Sequence, residues 1–113
     1  MKIVKKDELV EYHPAGHYDM RAMRAHSKDT SGSELLTIGR SEFQPGGGAE
    51  ASAVKPGMEL VYYVLDGTLT VTCEGADYEL SGGDSVLFKA GEVRSVRNNT
   101  DKAASMLVIS SVR

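Results

Sequence analysis

Four residue types in this chain could bind or turn over a small molecule: arginine, tyrosine, glutamate and histidine. Arg94 opens the alternating run Arg94, Val96, Asn98. If that alternation turns its guanidinium inward, an anion must meet it, because a buried unpaired charge is costly. Either an internal carboxylate such as Glu42, Glu50 or Glu59 supplies the anion, or a bound carboxylate or phosphate does, gripped by two parallel N–H donors. Tyr62 sits inside the run Glu59–Asp66, where its hydroxyl could serve a reacting centre or simply anchor a packed ring. Glu59 is an acid–base candidate one residue out of step with the inward positions of that run, so it reaches an interior only through a β-bulge. The three histidines, His13, His17 and His26, all precede residue 27. Surface or hydrogen-bonded structural roles are commonest for such histidines. As a general base, His26 is the best placed, since it shares strand parity with Met20 and Ala22. Asn98 adds an amide to the Arg94 face and is a candidate ligand contact. Cys73 follows Leu69 and Val71 on one face and reads as a small buried hydrophobe. Gly46-Gly47-Gly48 lacks the Gly-Lys-Ser/Thr of a phosphate-cradling loop and reads as a turn.

The elements that must position these groups fit one domain of 113 residues. Apolar residues are 41% and charged residues 26%, a globular balance. No apolar run nears the ~18 residues of a membrane span. The start, Met1-Lys2-Ile3-Val4-Lys5-Lys6, lacks the apolar stretch of a signal peptide, so a cytoplasmic location is expected. A net charge of −3 argues against a phosphate-backbone binder, and one cysteine excludes an internal disulfide. The 12 glycines mark many tight turns and disfavour a helix bundle.

Alternation of side chains is strand-like from residue 35 onward. Leu36, Ile38 and Arg40 alternate with polar or small residues until Pro45 and the glycines break the pattern. Strands are expected over 59–66, over Leu69 to Cys73, through Tyr78 and Leu80, through Val86 and Phe88, and over 93–98 and 103–112. Leu60, Tyr62, Val64, Leu69, Val71, Val86, Phe88, Val96, Leu107 and Ile109 are the expected interior. Asp7 to Tyr12 suits one helical turn, His17 to His26 an edge strand, and Lys28 to Ser33 a polar loop. Short strands joined by glycine-rich turns predict a β sandwich or barrel.

Two stretches resemble the paired motifs of the cupin superfamily. Pro45-Gly46-Gly47-Gly48 followed by Tyr62-Tyr63-Val64-Leu65-Asp66-Gly67-Thr68-Leu69-Thr70-Val71 is similar to the first motif. Gly83-Asp84 through Gly91-Glu92-Val93-Arg94 to Asn98 is similar to the second. The resemblance implies an all-β, double-stranded β-helix (jelly-roll) barrel over residues 35–113. Residues 1–34 would be an arm packing on the barrel or on a partner subunit in a homodimer.

That resemblance also implies a divalent metal held by two histidines and a glutamate of the first motif and a histidine of the second. In this chain those positions fall on Val54 and Pro56, or Ala53 and Lys55, then on Leu60 and on Arg94. Leucine and valine offer no lone pair, and a guanidinium repels a metal cation. No cofactor is therefore expected, and a set rebuilt from His17, His26 or a bulged Glu59 is the one route to a metal. The expectation is a metal-free, small-molecule-binding cupin that takes a small anionic metabolite, a carboxylate or sugar acid, at Arg94, Tyr62 and Asn98. The alternative is a cupin enzyme, an isomerase, lyase or hydrolase, drawing acid–base groups from His26, Tyr62 or Glu59. Neither nucleic acid nor membrane is an expected partner.

Overall fold

A computed structural model describes residues 1–112. Its strands are β1 (Val10–Tyr12), β2 (His17–His26), β3 (Leu36–Ala53), β4 (Glu59–Asp66), β5 (Thr68–Cys73), β6 (Ala76–Ser81), β7 (Ser85–Lys89), β8 (Val93–Arg97) and β9 (Ala104–Ser111). Helical structure among the described residues is confined to a 3₁₀ turn at Lys6–Glu8 and one short helix, α1 (Lys28–Ser31). Ser27 caps α1 by accepting from the Thr30 N–H, and Gly32 ends it in the left-handed conformation. No helix among the described residues is long and apolar enough to cross a membrane.

The strands pair antiparallel in the order β6-β5-β8-β3-β9-β4-β7, with β2 on β3 and β1 on β2. The sheet curls into a nearly closed barrel, with β6 and β7 at its edges, because β3 serves both layers. Its first part, Leu36–Phe43, pairs with β9, while Gly48–Ala53 pairs with β8. The result is the expected jelly-roll barrel. Residues 10–26 are woven into it, since β2 runs along β3 from His17↔Ala49 to His26↔Ile38.

Pro45-Gly46-Gly47-Gly48 is not the expected turn: β3 runs straight through it. Here the strand is squeezed between β2 and β8. A Cβ at Gly47 would lie 2.1 Å from the Asp19 carbonyl oxygen, and one at Gly48 2.3 Å from that of Val96. Glycine permits the passage rather than ending it.

Inside the barrel, Phe43, Leu60, Tyr62, Val64, Leu69, Val71, Phe88, Val96 and Met106 form the main core. Each contributes about 1.5–3 kcal/mol on full burial, before entropy is subtracted. The expected interior holds for β4, β5 and β8, and Val86 packs on it half-buried. On β9 the parity is reversed. Met106 pairs with Val64 and Val108 with Tyr62, so Leu107 and Ile109 lie on the outer face. Ala103 to Ser111 is apolar on both faces, which leaves only the pairing to choose between them.

Candidate functional site

Three neighbouring strands place the central residues. Arg94 on β8 pairs with Cys73 on one side and with Ser52 on the other, so these three side chains share the barrel-facing surface. Tyr62 faces inward from β4, 5% exposed, with its ring edge-on to Phe88 at 5.3 Å between centroids. The Arg94 guanidinium donates from Nη1 to the Ser52 carbonyl and lies beside the Tyr62 hydroxyl. Its Nε is buried and has no hydrogen-bond partner. No carboxylate pairs with it among the described residues. Glu42 pairs instead with Arg40 at 3.5 Å, and Glu50 and Glu59 are exposed. Its partners are neutral oxygens, and no internal anion balances this cation among the described residues.

Burial pushes the Tyr62 hydroxyl above the ordinary tyrosine range, Arg94 pulls it partly back, and Tyr12 adds a smaller upward push. The phenol is therefore a neutral donor and acceptor at physiological pH.

A cavity of about 210 Å³ opens beside Arg94, lined by Ser52, Ala53, Val54, Lys55, Met58, Leu60, Arg94 and Ser110. Ser110 is within hydrogen-bond reach of Thr37, oxygen to oxygen at 2.6 Å. This cavity has an apolar floor, two cations and a hydroxyl pair, and no acidic side chain lines it. It also gathers Ala53, Val54, Lys55, Leu60 and Arg94, the positions that the resemblance assigned to metal ligands. Those side chains provide no imidazole and no carboxylate, so a divalent ion does not fit the donor set. Elsewhere among the described residues no three His, Cys, Asp or Glu side chains converge on a point. The arrangement is suited to an anion.

A second cavity, of about 320 Å³, lies at the Cys73 end of the Cys73–Arg94–Ser52 row, toward the barrel edges β6 and β7. Val71, Leu80, Val86 and Phe88 form its apolar wall, and Cys73, Glu74, Tyr78 and Glu92 its polar one. The Cys73 thiol is directed at Glu92 Oε2, 4.0 Å away. Burial, then Glu92 and Glu74, push that thiol above its usual value.

The remaining candidates fall elsewhere. Glu59 stays on the outer face, because β4 keeps its register from Glu59 to Tyr63 and the bulge that would turn it inward is missing there. His26 loses its expected parity through a register shift between Arg24 and His26. It pairs with outward-facing Ile38, and its Nδ1 lies 3.0 Å from Ser31 Oγ. His17 is exposed, with Nδ1 3.0 Å from the Ala15 carbonyl, and His13 is exposed. Asn98 is wholly buried and saturated. Its amide donates to the Phe43 and Lys102 carbonyls, and its Oδ1 accepts from the Thr100 N–H and hydroxyl. It pins a loop and has nothing left for a ligand.

Sequence reasoning missed Ser110, Glu74 and Glu92 as lining residues. It also missed Arg24 and Tyr12. Arg24 pairs with Gly39, Gly39 with Val108, and Val108 with inward-facing Tyr62, so Arg24 shares the barrel-facing side. Its parity with Met20 and Ala22 was the available signal.

The comparisons agree with this architecture. Residues 39–110 match the family model described as a cupin domain. A β-D-galactosidase of Mycobacterium tuberculosis is 37% identical over 108 residues, covering 96% of this chain and 91% of that protein. Among solved structures, a predicted oxalate decarboxylase from Thermotoga maritima superposes with a TM-score of 0.82 at 18% identity, covering 99% of this chain and 100% of that one. A cupin-superfamily sugar phosphate isomerase from Silicibacter pomeroyi gives 0.83 at 18% identity, covering 99% and 76%. At such identities the structures speak for the fold alone, whereas the family match spans both motifs and the Arg94 site. The chain is a member of the cupin family.

Proposed function

We propose that this cupin binds a small acidic carbohydrate, a sugar acid of uronate type, with its carboxylate on Arg94. The observation that carries the reading is the half-buried Arg94 guanidinium, which faces a cavity without a carboxylate partner. A carboxylate in that cavity supplies the missing anion and completes a charge-assisted pair with the guanidinium. Lys55 adds a second positive charge at the rim, while Ser110, Thr37 and Tyr62 offer hydroxyls that suit a polyol. The apolar floor of Val54, Met58 and Leu60 suits the C–H face of a sugar ring. A curated relative named as a β-D-galactosidase supports carbohydrate as the ligand class. The test is calorimetric titration with galacturonate and with galactose. Binding of the acid but not the neutral sugar is expected, and equal binding of both would overturn the reading.

A second reading, glycoside hydrolysis, is favoured by that relative's name together with the larger cavity. Hydrolysis of a glycosidic bond ordinarily uses two carboxyl groups, one as acid and one as base or nucleophile. Glu74 and Glu92 both line the 320 Å³ cavity. Release of nitrophenol from a nitrophenyl β-galactoside, abolished in Glu92→Gln, would establish this reading. No release by the wild-type protein would sink it.

The chain is also proposed to form a homodimer. Tyr63, Leu65 and Leu87 are large apolar side chains exposed on the outer face of β4 and β7. Sedimentation as a monomer at micromolar concentration would overturn this.

A further inference from the structure

We infer that the N-terminal strand pair β1–β2 completes the binding site with a second anion-binding position, Arg24 carried on Tyr12, so that the ligand bears two separate acidic groups. The inference rests on the proposed role of Arg94 and extends it to the substrate class, a small dicarboxylic sugar acid.

The strand pairing puts Arg24 and Tyr12 on the barrel side. Tyr12 pairs with Ala22, Ala22 with Ser41, and Ser41 with Met106, whose side chain is in the core. Arg24 stands in the next row, Arg24–Gly39–Val108–Tyr62, in line with the phenol that touches Arg94. Gly39 has no side chain to stand between Arg24 and the interior. The two elements meet at the phenols: Tyr12 is near enough to Tyr62 to influence its ionisation.

Arg24 is half-buried, and its guanidinium carbon lies 4.2 Å above the Tyr12 ring. The stack holds the cation in place without neutralising it. No carboxylate pairs with Arg24 among the described residues. By contrast, Arg21 pairs with Glu11 at 3.3 Å and Arg40 with Glu42 at 3.5 Å. Those two arginines lie on the outer face of the same strands. Among the described residues, Arg24 and Arg94, the two that face the barrel, are left without a carboxylate.

The spacing favours two anionic groups over one. A single phosphate would need the two guanidinium groups side by side, whereas Arg24 stacks on Tyr12 and Arg94 lies beside Tyr62. Along the row, Arg24 and Tyr62 are three strands apart, about 14 Å of backbone at the usual strand separation. A molecule with an acid at each end, and hydroxyls between them for the two phenols, matches that order of groups.

The experiment compares galactarate, with a carboxylate at both ends, and galacturonate, with one, by calorimetric titration of the full chain. Wild-type protein is expected to bind the diacid at least about tenfold more tightly, the gain from one further charged contact. Arg24→Gln should reduce diacid affinity to that of the monoacid while leaving the monoacid unchanged, and Arg24→Lys should restore most of the preference. Arg94→Met should weaken both. Thermal unfolding of each variant checks that the fold survives. If Arg24→Gln leaves the diacid preference intact, or if there is none, the second position is wrong although Arg94 stands. If Arg94→Met weakens neither ligand, the reading beneath it falls as well.

Discussion

The two cavities at opposite ends of the Cys73–Arg94–Ser52 row share a barrel and differ in charge. On the β3–β4 side, Arg94 and Lys55 stand over an apolar floor with no acid. On the β6–β7 side, Glu74 and Glu92 crowd a thiol against an apolar wall. Residues two strands apart on one row thus border cavities of opposite charge. The difference teaches that the net charge of −3 says little about either site. Local pairing decides: Arg94 lacks an acid partner because the nearby carboxylates point into the other cavity or away from the barrel.

Several substitutions would break or sharpen this contrast. The largest effect on stability is expected outside both cavities, at Asn98, whose amide groups are all hydrogen-bonded. Asn98→Ala should cost about 2–3 kcal/mol in denaturant unfolding, because it orphans buried carbonyls. Ligand affinity of the folded fraction should be retained. Arg94→Met should lower galacturonate affinity about 10- to 100-fold, the ~1.5–3 kcal/mol of a charged hydrogen bond. Glu92→Gln should leave that affinity unchanged, and a loss would show that the two cavities act as one. The same substitution should hasten alkylation of Cys73 near neutral pH. It removes one of the charges that hold the thiol protonated.

The smallest effect concerns alkaline stability. Burial holds the Tyr62 hydroxyl above the ordinary tyrosine range in the folded protein. The folded state therefore holds that proton more tightly than the unfolded state does. Its contribution to stability is complete below about pH 10 and is lost as pH rises through the folded value. Tyr62→Phe should flatten the alkaline decline in unfolding free energy. An unchanged slope would mean that the hydroxyl is better solvated than its burial implies.

Much of the barrel was legible in the sequence. The β4 and β5 boundaries follow from alternation stopped by Gly67 and by Glu74-Gly75, and β2 from alternation alone. Arg94 and Tyr62 were legible as inward-facing residues because each stands on a strand whose inward face is unambiguous. Other features depend on pairing, which a sequence does not display. The reversed parity of β9 follows from its partners, and a register shift turns His26 out of the barrel. Pro45 and its glycines run on as strand because β2 and β8 crowd them, a tertiary fact. Asn98 lies on the expected face, yet the Thr100–Lys102 loop that saturates its amide could not be foreseen. Arg24 shares the parity of Met20 and Ala22, and its pairing with Gly39 ties that parity to the barrel side.

The account turns on Arg94 standing where relatives by family resemblance would hold a metal. Elemental analysis of the protein after exposure to zinc, manganese, iron and nickel, followed by gel filtration, tests this most directly. The account predicts no stoichiometric metal in the wild-type protein, and none in Arg94→His, because Leu60 and the β3 positions still offer no ligand. One tightly held ion per wild-type chain would contradict it.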